Sequence, residues 1–316
     1  MARRIRGTWM AAALAGVALA GCELAMPVTP VATPRARPAT LPAPISVARP
    51  TSEKSAALRS YFAQVQTAQT SSGLLRTDGG GQDAPFSADM LARNFEKIAF
   101  YNEYDSNFQG RGGQSPLRRW AGPVRMEVVF GASVPPSVRA RDSGDIHGYA
   151  ERLARATGHP IAVGGRPNFL VLIVGEDDRA ETLDQIAGRL PGVSARSLDA
   201  LRDLRRDTYC VVAAFATGSD ANTYTAAVAV IRAENPGLLR LSCIHEELAQ
   251  GLGLANDSPA ARPSIFNDDD EYALLTRHDE LLLRMLYDPR LRPGMSAAEA
   301  APMVRQIATE LVGGPS

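Results

Sequence analysis

The chain has 316 residues, and its 34 basic and 34 acidic side chains give a formal net charge of zero. The basic residues are spread along the sequence and form no stripe with interleaved aromatic residues, which argues against nucleic acid as a partner. From residue 51 onward the length suits one large domain, or one domain preceded by a helical segment.

The first 21 residues have the pattern of a bacterial lipoprotein signal peptide. Arginines precede an apolar run from Trp9 to Ala20, which is too short to cross a membrane. Leu19-Ala20-Gly21-Cys22 then matches a lipobox, so we expect acyl chains on Cys22 to anchor the protein, with an ordinary signal peptide as the alternative. Because Glu23 follows in place of an aspartate, the expected location is the periplasmic face of the outer membrane.

Residues 22–50 are predicted to be a tether between the membrane anchor and the folded part. Seven prolines in this segment prevent a helix and favour extended chain. At about 3.1 Å per residue, the tether could reach roughly 60–90 Å. We expect a helical extension over residues 51–115 and the main domain over residues 116–316.

Apolar residues at helical spacing predict much of the secondary structure from residue 51 onward. Ser87 is the predicted N-cap of the second helix, and Thr276 with Asp279 has the capping-box pattern of a later helix. The predicted helices cover residues 51–69, 87–104, 145–157, 183–189, 198–205, 239–252, 276–289 and 297–311.

Four apolar segments predict the strands of a sheet, and they cover residues 124–130, 168–174, 209–215 and 223–231. The last of these alternates less cleanly than the first, and we expect it to be the edge strand. An edge strand directly before a long helix suits an α+β fold with a mixed sheet better than a doubly wound fold.

Residues 242–257 have the residue spacing of the active-site helix of a zinc metallopeptidase, but they lack its zinc-binding histidines. The motif of the metzincin branch is H-E-x-x-H-x-x-G-x-x-H, often followed by aspartate. The sequence resembles this motif when Glu246 is set on the first histidine. In that register Glu247 takes the place of the catalytic glutamate, and Gln250 and Asn256 take the places of the second and third histidines. Gly253 and Asp257 correspond to the glycine and the trailing aspartate of the motif.

Two runs carry a narrower resemblance, Glu246-Glu247-x-x-Gln250-x-x-Gly253-Leu254-x-Asn256-Asp257-Ser258 and Pro263-Ser264-Ile265-Phe266-Asn267-Asp268. Over roughly residues 85–290 the chain resembles an uncharacterised family of proteobacterial lipoproteins, domain of unknown function 2927. The order of elements also resembles a zincin (metzincin)-like fold. That fold implies a mixed sheet with an antiparallel edge strand, an active-site-type helix and a small C-terminal helical subdomain. Phe266 stands where the methionine of its Met-turn would lie.

The replaced ligands argue against a firmly held zinc ion. Catalytic zinc needs three good ligands and an open position, whereas Glu246, Gln250 and Asn256 offer one carboxylate and two neutral amides. We therefore expect no cofactor, and zinc or calcium stay open because carboxylate and amide oxygens suit hard cations. Glu247 is the candidate general base. The acidic run 267–271 adds carboxylate oxygens that would suit such a cation, but its spacing is not that of an EF-hand, and it is expected to be a solvated loop.

The remaining cysteines and histidines are expected to have structural roles. Cys210 and Cys243 would pair in the oxidising periplasm, and a catalytic thiol is the alternative. His245 falls outside the metal register and is expected to pack at an apolar boundary. His278, in the first turn of a helix, is expected to face solvent.

The motif and the lipid anchor together lead to three functional hypotheses. The first is a catalytically degenerate periplasmic lipoprotein that binds a peptide or an envelope protein. The second is an active peptidase with an atypical metal site at Glu246, Gln250 and Asn256, and with Glu247 as the base. The third is a purely structural envelope protein in which side chains fill the cleft.

Overall fold

The computed structural model describes residues 51–103 and 112–313, so the expected signal peptide, the tether and Cys22 lie outside the described residues. The described residues form a mixed α+β fold, as predicted, and none of their helices is both long and apolar enough to cross a membrane. In chain order the elements are α1 (Glu53–Ser71), α2 (Ala88–Ala99), β1 (Arg119–Trp120), β2 (Val124–Phe130), α3 (Pro136–Thr157), β3 (Ile161–Val163), β4 (Phe169–Val174), α4 (Arg179–Ile186), a 3-10 helix (Arg196–Leu201), β5 (Cys210–Phe215), β6 (Thr223–Tyr224), β7 (Ala226–Arg232), α5 (Gly237–Gln250), α6 (Arg277–Leu286) and α7 (Ala297–Val312).

A five-stranded sheet lies at the centre of the fold, with the strand order β3-β2-β4-β7-β5. Neighbouring strands are parallel, apart from the antiparallel pair of β5 and β7, in which Cys210 pairs with Ile231. The short strands β1 and β6 form a separate parallel pair that joins Arg119 to Thr223. β4 and β7 are buried along their whole length, as expected for interior strands covered on both faces.

The prediction that residues 223–231 form the edge strand is wrong. Most of that segment is β7, which lies between β4 and β5, so that β5 is the edge. The sequence of β7, Ala-Ala-Val-Ala-Val-Ile-Arg, lacks clean alternation because both of its faces are buried. The edge strand β5 instead alternates between buried and half-buried residues. The poor alternation therefore indicated an interior strand.

Several further elements differ from the sequence prediction, among them α4, which begins at Arg179, before the predicted residue 183. The helix predicted over residues 145–157 begins earlier, at Pro136, because proline is favoured in the first helical turn, where its missing N–H has no partner to lose. The segment predicted as a helix over residues 198–205 is a 3-10 helix. Strand β3 was not predicted, since its 3 residues are too few to give a periodic pattern.

Alternate residues of β4 divide the hydrophobic core between the two faces of the sheet. Phe169 and Val171 belong to the larger core, which also contains buried residues of α2, α3, α5, α6 and α7. Leu170 and Leu172 belong to the smaller core, which includes buried residues of α4. Through α2, this apolar packing joins residues on both sides of the domain boundary that was predicted after residue 115. The boundary itself stays a prediction.

Helix α5 is held by a disulfide near its middle and by a hydrogen bond at its C-terminus. A disulfide joins Cys243 in α5 to Cys210 in β5, with 5.8 Å between the Cα atoms, which confirms the expected pairing. The indole N–H of Trp120 donates to the carbonyl of Gly251 at 2.9 Å and so satisfies an acceptor left open at the helix C-terminus. Gly253 follows with a φ of 128°, and a Cβ there would lie 2.3 Å from a backbone carbonyl oxygen.

Helix α1 caps the N-terminus of α5. The N-cap residue Pro236 has no side chain that can accept a hydrogen bond. The Oε1 atom of Gln66 in α1 instead accepts the backbone N–H groups of Leu238 and Leu239, at 3.1 and 3.0 Å. Phe62 is fully buried in a small apolar cluster with Leu239. The first described helix is therefore an integral part of the environment of α5.

Reduction of the disulfide is expected to destabilise the fold. The bridge spans 33 residues of chain, so its loss should lower the free energy of unfolding by about 4 kcal/mol through the entropy of the unfolded state. Denaturant unfolding of the wild type, compared with Cys210→Ser/Cys243→Ser, measures this difference. Addition of reductant should affect the wild type alone. Two free thiols at these positions in unreduced protein, detected by mass spectrometry, would contradict the pairing.

Candidate acidic site at the end of helix α5

The last turn of α5 brings two carboxylates together. Oxygen atoms of Glu246 and Glu247 lie within 4.8 Å of each other and of the sulfur of Cys210. That sulfur is in the disulfide, so it has no thiolate to offer a metal. Glu247 is only 4% exposed, whereas Glu246 is half-buried. The negative end of the helix dipole also lies at this turn, which makes the site less favourable for anionic side chains.

Two aspartates from the segment after α5 extend the acidic pair. Asp257 lies just beyond the helix, and Asp270 lies in the loop that leads to α6. The backbone of Asp270 has a φ of 55°, and its carbonyl accepts the N–H of Leu75 at 2.9 Å. The side-chain amide of Gln69 in α1 donates to the carboxylate of Asp270. We call Glu246, Glu247, Asp257 and Asp270 the acidic cluster.

Burial and mutual repulsion raise the pKa of every carboxyl group in the acidic cluster. Burial is the larger cause for Glu246, Glu247 and Asp257, whose pKa values lie well above the usual range, and the neighbouring carboxylates add to it. Burial followed by the charges of Asp269 and Asp268 raises the pKa of Asp270 to about 6. The cluster therefore holds protons that ordinary carboxyl groups release.

Negative charges dominate the surroundings of the acidic cluster in the described part of the chain. The strongest charges that act on Glu246, Glu247 and Asp257 there are carboxylates, among them Glu103. The Oε2 atom of Glu247 is buried and has no hydrogen-bond partner. Such an atom costs free energy unless it is protonated or finds a donor or a cation.

The amides at the predicted metal positions act as hydrogen-bond donors. The Nε2 atom of Gln250 donates to Asp257 at 3.2 Å and to Glu103 at 3.5 Å. The Nδ2 atom of Asn256 donates to the carbonyls of Lys97 and Asp257, at 2.9 and 2.8 Å. Through these bonds, the side chains of Gln250 and Asn256 hold the chain around the acidic cluster.

His245 packs in the interior, in line with the sequence expectation. Its ring stacks on Tyr149 with 3.9 Å between the centroids, and its Nδ1 atom accepts the backbone N–H of Leu275 at 2.9 Å. Burial lowers the pKa of His245 to about 3, so the imidazole is neutral. Its role is to join α3 and the segment before α6 to α5.

The expectation that His278 faces solvent is wrong. Its side chain is fully buried, the ring packs edge-on against Phe86, and its Nε2 atom lies 3.1 Å from the amide nitrogen of Asn94. A first-turn position indicates exposure only when nothing covers the start of the helix, and here α2 and the segment before it cover α6. Phe266, at the position of the Met-turn methionine, is also fully buried.

Periodicity and motif spacing did not identify three residues of this site. Gln69, Glu103 and Asp270 lie far from the motif in the chain, and the tertiary fold alone brings them to the last turn of α5. The acidic run 267–271 was expected to be a solvated loop, but the side chain of Asp270 turns inward while Asp268 and Asp269 stay exposed. Periodicity does not report such long-range contacts.

Comparison with known proteins identifies a family without an assigned chemistry. A family model described as Protein of unknown function (DUF2927) matches residues 88–306, from the start of α2 into α7. No curated protein and no solved structure matches the chain. The side chains of the acidic cluster themselves therefore define what chemistry it can perform.

The raised pKa of Glu247 predicts that Glu247→Gln stabilises the chain increasingly as pH rises. Above about pH 4 the unfolded wild type releases the proton of Glu247, whereas the folded wild type keeps it. The free energy of unfolding of the wild type therefore falls relative to that of Glu247→Gln, by up to about 1.4 kcal/mol per pH unit. Denaturant unfolding of both proteins between about pH 5 and pH 8, with EDTA present, measures this difference.

Comparing the two proteins also cancels the effect of His245, which has the opposite sign. Because the pKa of His245 is lowered in the folded state, the wild type and the variant both become more stable as the pH rises towards the pKa of histidine in the unfolded chain. Glu151→Gln is the matched control, because Glu151 is an exposed helical glutamate whose side chain keeps 76% of its accessible area. A pH-independent difference between the wild type and Glu247→Gln would show that Glu247 ionises normally.

Proposed function

The chain belongs to the family described as Protein of unknown function (DUF2927), and we propose that it is a lipid-anchored periplasmic protein with a zincin-like fold that binds a partner and does not cleave peptides. Acylated Cys22 would hold it on the periplasmic face of the outer membrane, and the Pro-rich segment 22–50 would separate the folded part from that surface. The partner would be a peptide or an envelope protein.

The order of the elements supports the zincin-like part of the proposal. The resemblance implies a mixed sheet with an antiparallel edge strand, followed by an active-site-type helix and a C-terminal helical subdomain. Here β5 is an antiparallel edge strand, α5 follows β7, and α6 and α7 complete the chain. Gly253 makes the sharp turn after α5 that the motif requires of its glycine.

The hydrogen bonds of Gln250 and Asn256 carry the non-catalytic part of the proposal. Both amides donate to neighbouring oxygens, so two of the three positions at which a zincin has histidines are occupied in holding the acidic cluster. The ring of His245 is also engaged, because its Nδ1 atom accepts the N–H of Leu275 and the ring stacks on Tyr149. In the part of the chain that the structure describes, these contacts leave no set of nitrogen ligands at the end of α5 that could hold catalytic zinc.

The second candidate function is a hydrolase with Glu247 as general base. One observation favours it, namely that Glu247 is buried, has a raised pKa and keeps an oxygen without a partner, as a general acid–base residue does. A peptide-hydrolysis assay on the wild type and Glu247→Gln separates the two functions. We expect no cleavage by either protein, and cleavage that disappears in Glu247→Gln would refute the binding function.

The zincin-like geometry predicts that histidines at the three replaced positions would build a zinc site. We expect Glu246→His/Gln250→His/Asn256→His to bind stoichiometric zinc, because imidazoles at i and i+4 share a helix face and the third would follow the turn at Gly253. Metal analysis after dialysis measures bound zinc in the variant and in the wild type, which should hold none. A folded variant without zinc would contradict the zincin-like arrangement.

The lipobox predicts that Cys22→Ser releases the protein from the membrane. The variant cannot be acylated, so we expect it in the soluble periplasmic fraction, while the wild type and the conservative tether variant Thr29→Ser sediment with membranes. Cell fractionation with palmitate labelling measures both properties. Palmitate labelling of Cys22→Ser as strong as that of the wild type would argue against the lipid anchor.

A further inference from the structure

We propose that the acidic cluster binds a divalent cation, and that the ion is calcium. Glu246 and Glu247, whose carboxylate oxygens lie within 4.8 Å of each other, would contribute oxygens from the last turn of α5. Asp257, which accepts a hydrogen bond from Gln250 in α5, and Asp270 would move in to supply further oxygens from the segment that follows the helix. This site goes beyond the proposed partner-binding function and does not depend on it. It also differs from the zinc-type site of the sequence motif, because Gln250 and Asn256 support the cluster and are not ligands.

The unpartnered oxygen of Glu247 points to a ligand at this place. Oε2 is buried without a hydrogen-bond partner in a side chain that is only 4% exposed, and the carboxylate lies beside that of Glu246. The Oε1 atom of Gln69 is likewise buried without a partner, and the amide nitrogen of the same side chain contacts Asp270. Two buried acceptors without donors, both next to carboxylates of the cluster, are the environment that a cation requires.

Charge balance supports the same conclusion. The charges that act most strongly on the cluster within the described residues are negative, and the C-terminal end of α5 adds a partial negative charge. A divalent cation would neutralise carboxylates that otherwise repel one another in a region of low dielectric constant.

The ligand atoms favour calcium over zinc and magnesium. Nitrogen and sulfur ligands are absent from the cluster, since Cys210 is in the disulfide and the Nδ1 atom of His245 accepts the N–H of Leu275. Oxygen ligands suit hard cations, and calcium accepts several carboxylates in irregular geometry, whereas magnesium demands a near-ideal octahedron and retains water. Two ligands on a rigid helix and two on the following segment match the less regular site of calcium.

Calorimetric titration of the purified full chain in detergent tests the proposal. After treatment with EDTA and its removal, calcium chloride is titrated at about pH 7.5, and we expect a dissociation constant of about 10⁻⁴–10⁻³ M, the range of extracytoplasmic calcium sites. At ten times that concentration the melting temperature should rise by roughly 3–6 °C. Magnesium chloride and zinc chloride, titrated in the same way, should bind more weakly.

Glu247→Gln and Asp270→Asn should each weaken calcium binding at least about tenfold, because each removes a charged ligand. Glu151→Gln, on the exposed face of α3, should bind as the wild type does. Loss of binding through misfolding is distinguishable, since Glu247→Gln should melt at a higher temperature than the wild type when calcium is absent.

Two results would overturn the assignment. One is the absence of both heat and a shift in melting temperature at about 10 mM calcium, well above the expected dissociation constant. The other is calcium binding that Glu247→Gln and Glu151→Gln leave equally unchanged, which would locate the ion elsewhere. Tighter binding of zinc than of calcium would contradict the choice of ion. None of these results bears on peptide cleavage, so this proposal and the proposed function fail separately.

Discussion

Repulsion between buried carboxylates is the constraint around which the end of α5 is built. At an effective dielectric constant of about 20, two full charges at 4.8 Å repel by roughly 3 kcal/mol, before burial and the helix dipole are considered. A chain without strong supports would relieve this repulsion by moving the last turn towards water. The disulfide to β5, the Trp120 indole on the Gly251 carbonyl and the hydroxyl of Tyr149 on the His245 carbonyl prevent that movement.

The supports of α5 explain why a peptidase-like frame can persist without peptidase ligands. The turn at Gly253 is required by the close approach of a neighbouring carbonyl, and Asn256 holds the segment after the turn on the end of α2 through the carbonyl of Lys97. Gln250 connects α5 to Asp257 in the same way. Gln250, Gly253 and Asn256 thus have packing or hydrogen-bonding roles that need no metal, and this part of the motif belongs to the fold as much as to the site.

Much of the fold was predictable from local patterns, and the errors have a common cause. Ser87, Thr276 and Asp279 identified helix starts because capping depends on neighbouring residues only. The interior position of β7, the burial of His278 and the inward turn of Asp270 depend on what covers each segment, which the local sequence does not encode. The motif located half of the acidic cluster on α5 and suggested Asp257, while Asp270 required the three-dimensional structure.

Helix α1 has a consequence for where the folded unit begins. It precedes the residues that the family model matches, 88–306, yet Gln66 supplies the cap that Pro236 cannot give to α5, and Phe62 covers Leu239. Trimming the protein to the matched residues would leave backbone N–H groups of α5 without acceptors and would expose an apolar surface beside the disulfide. The smallest fragment suitable for expression and crystallisation therefore begins before Glu53, well upstream of the family boundary.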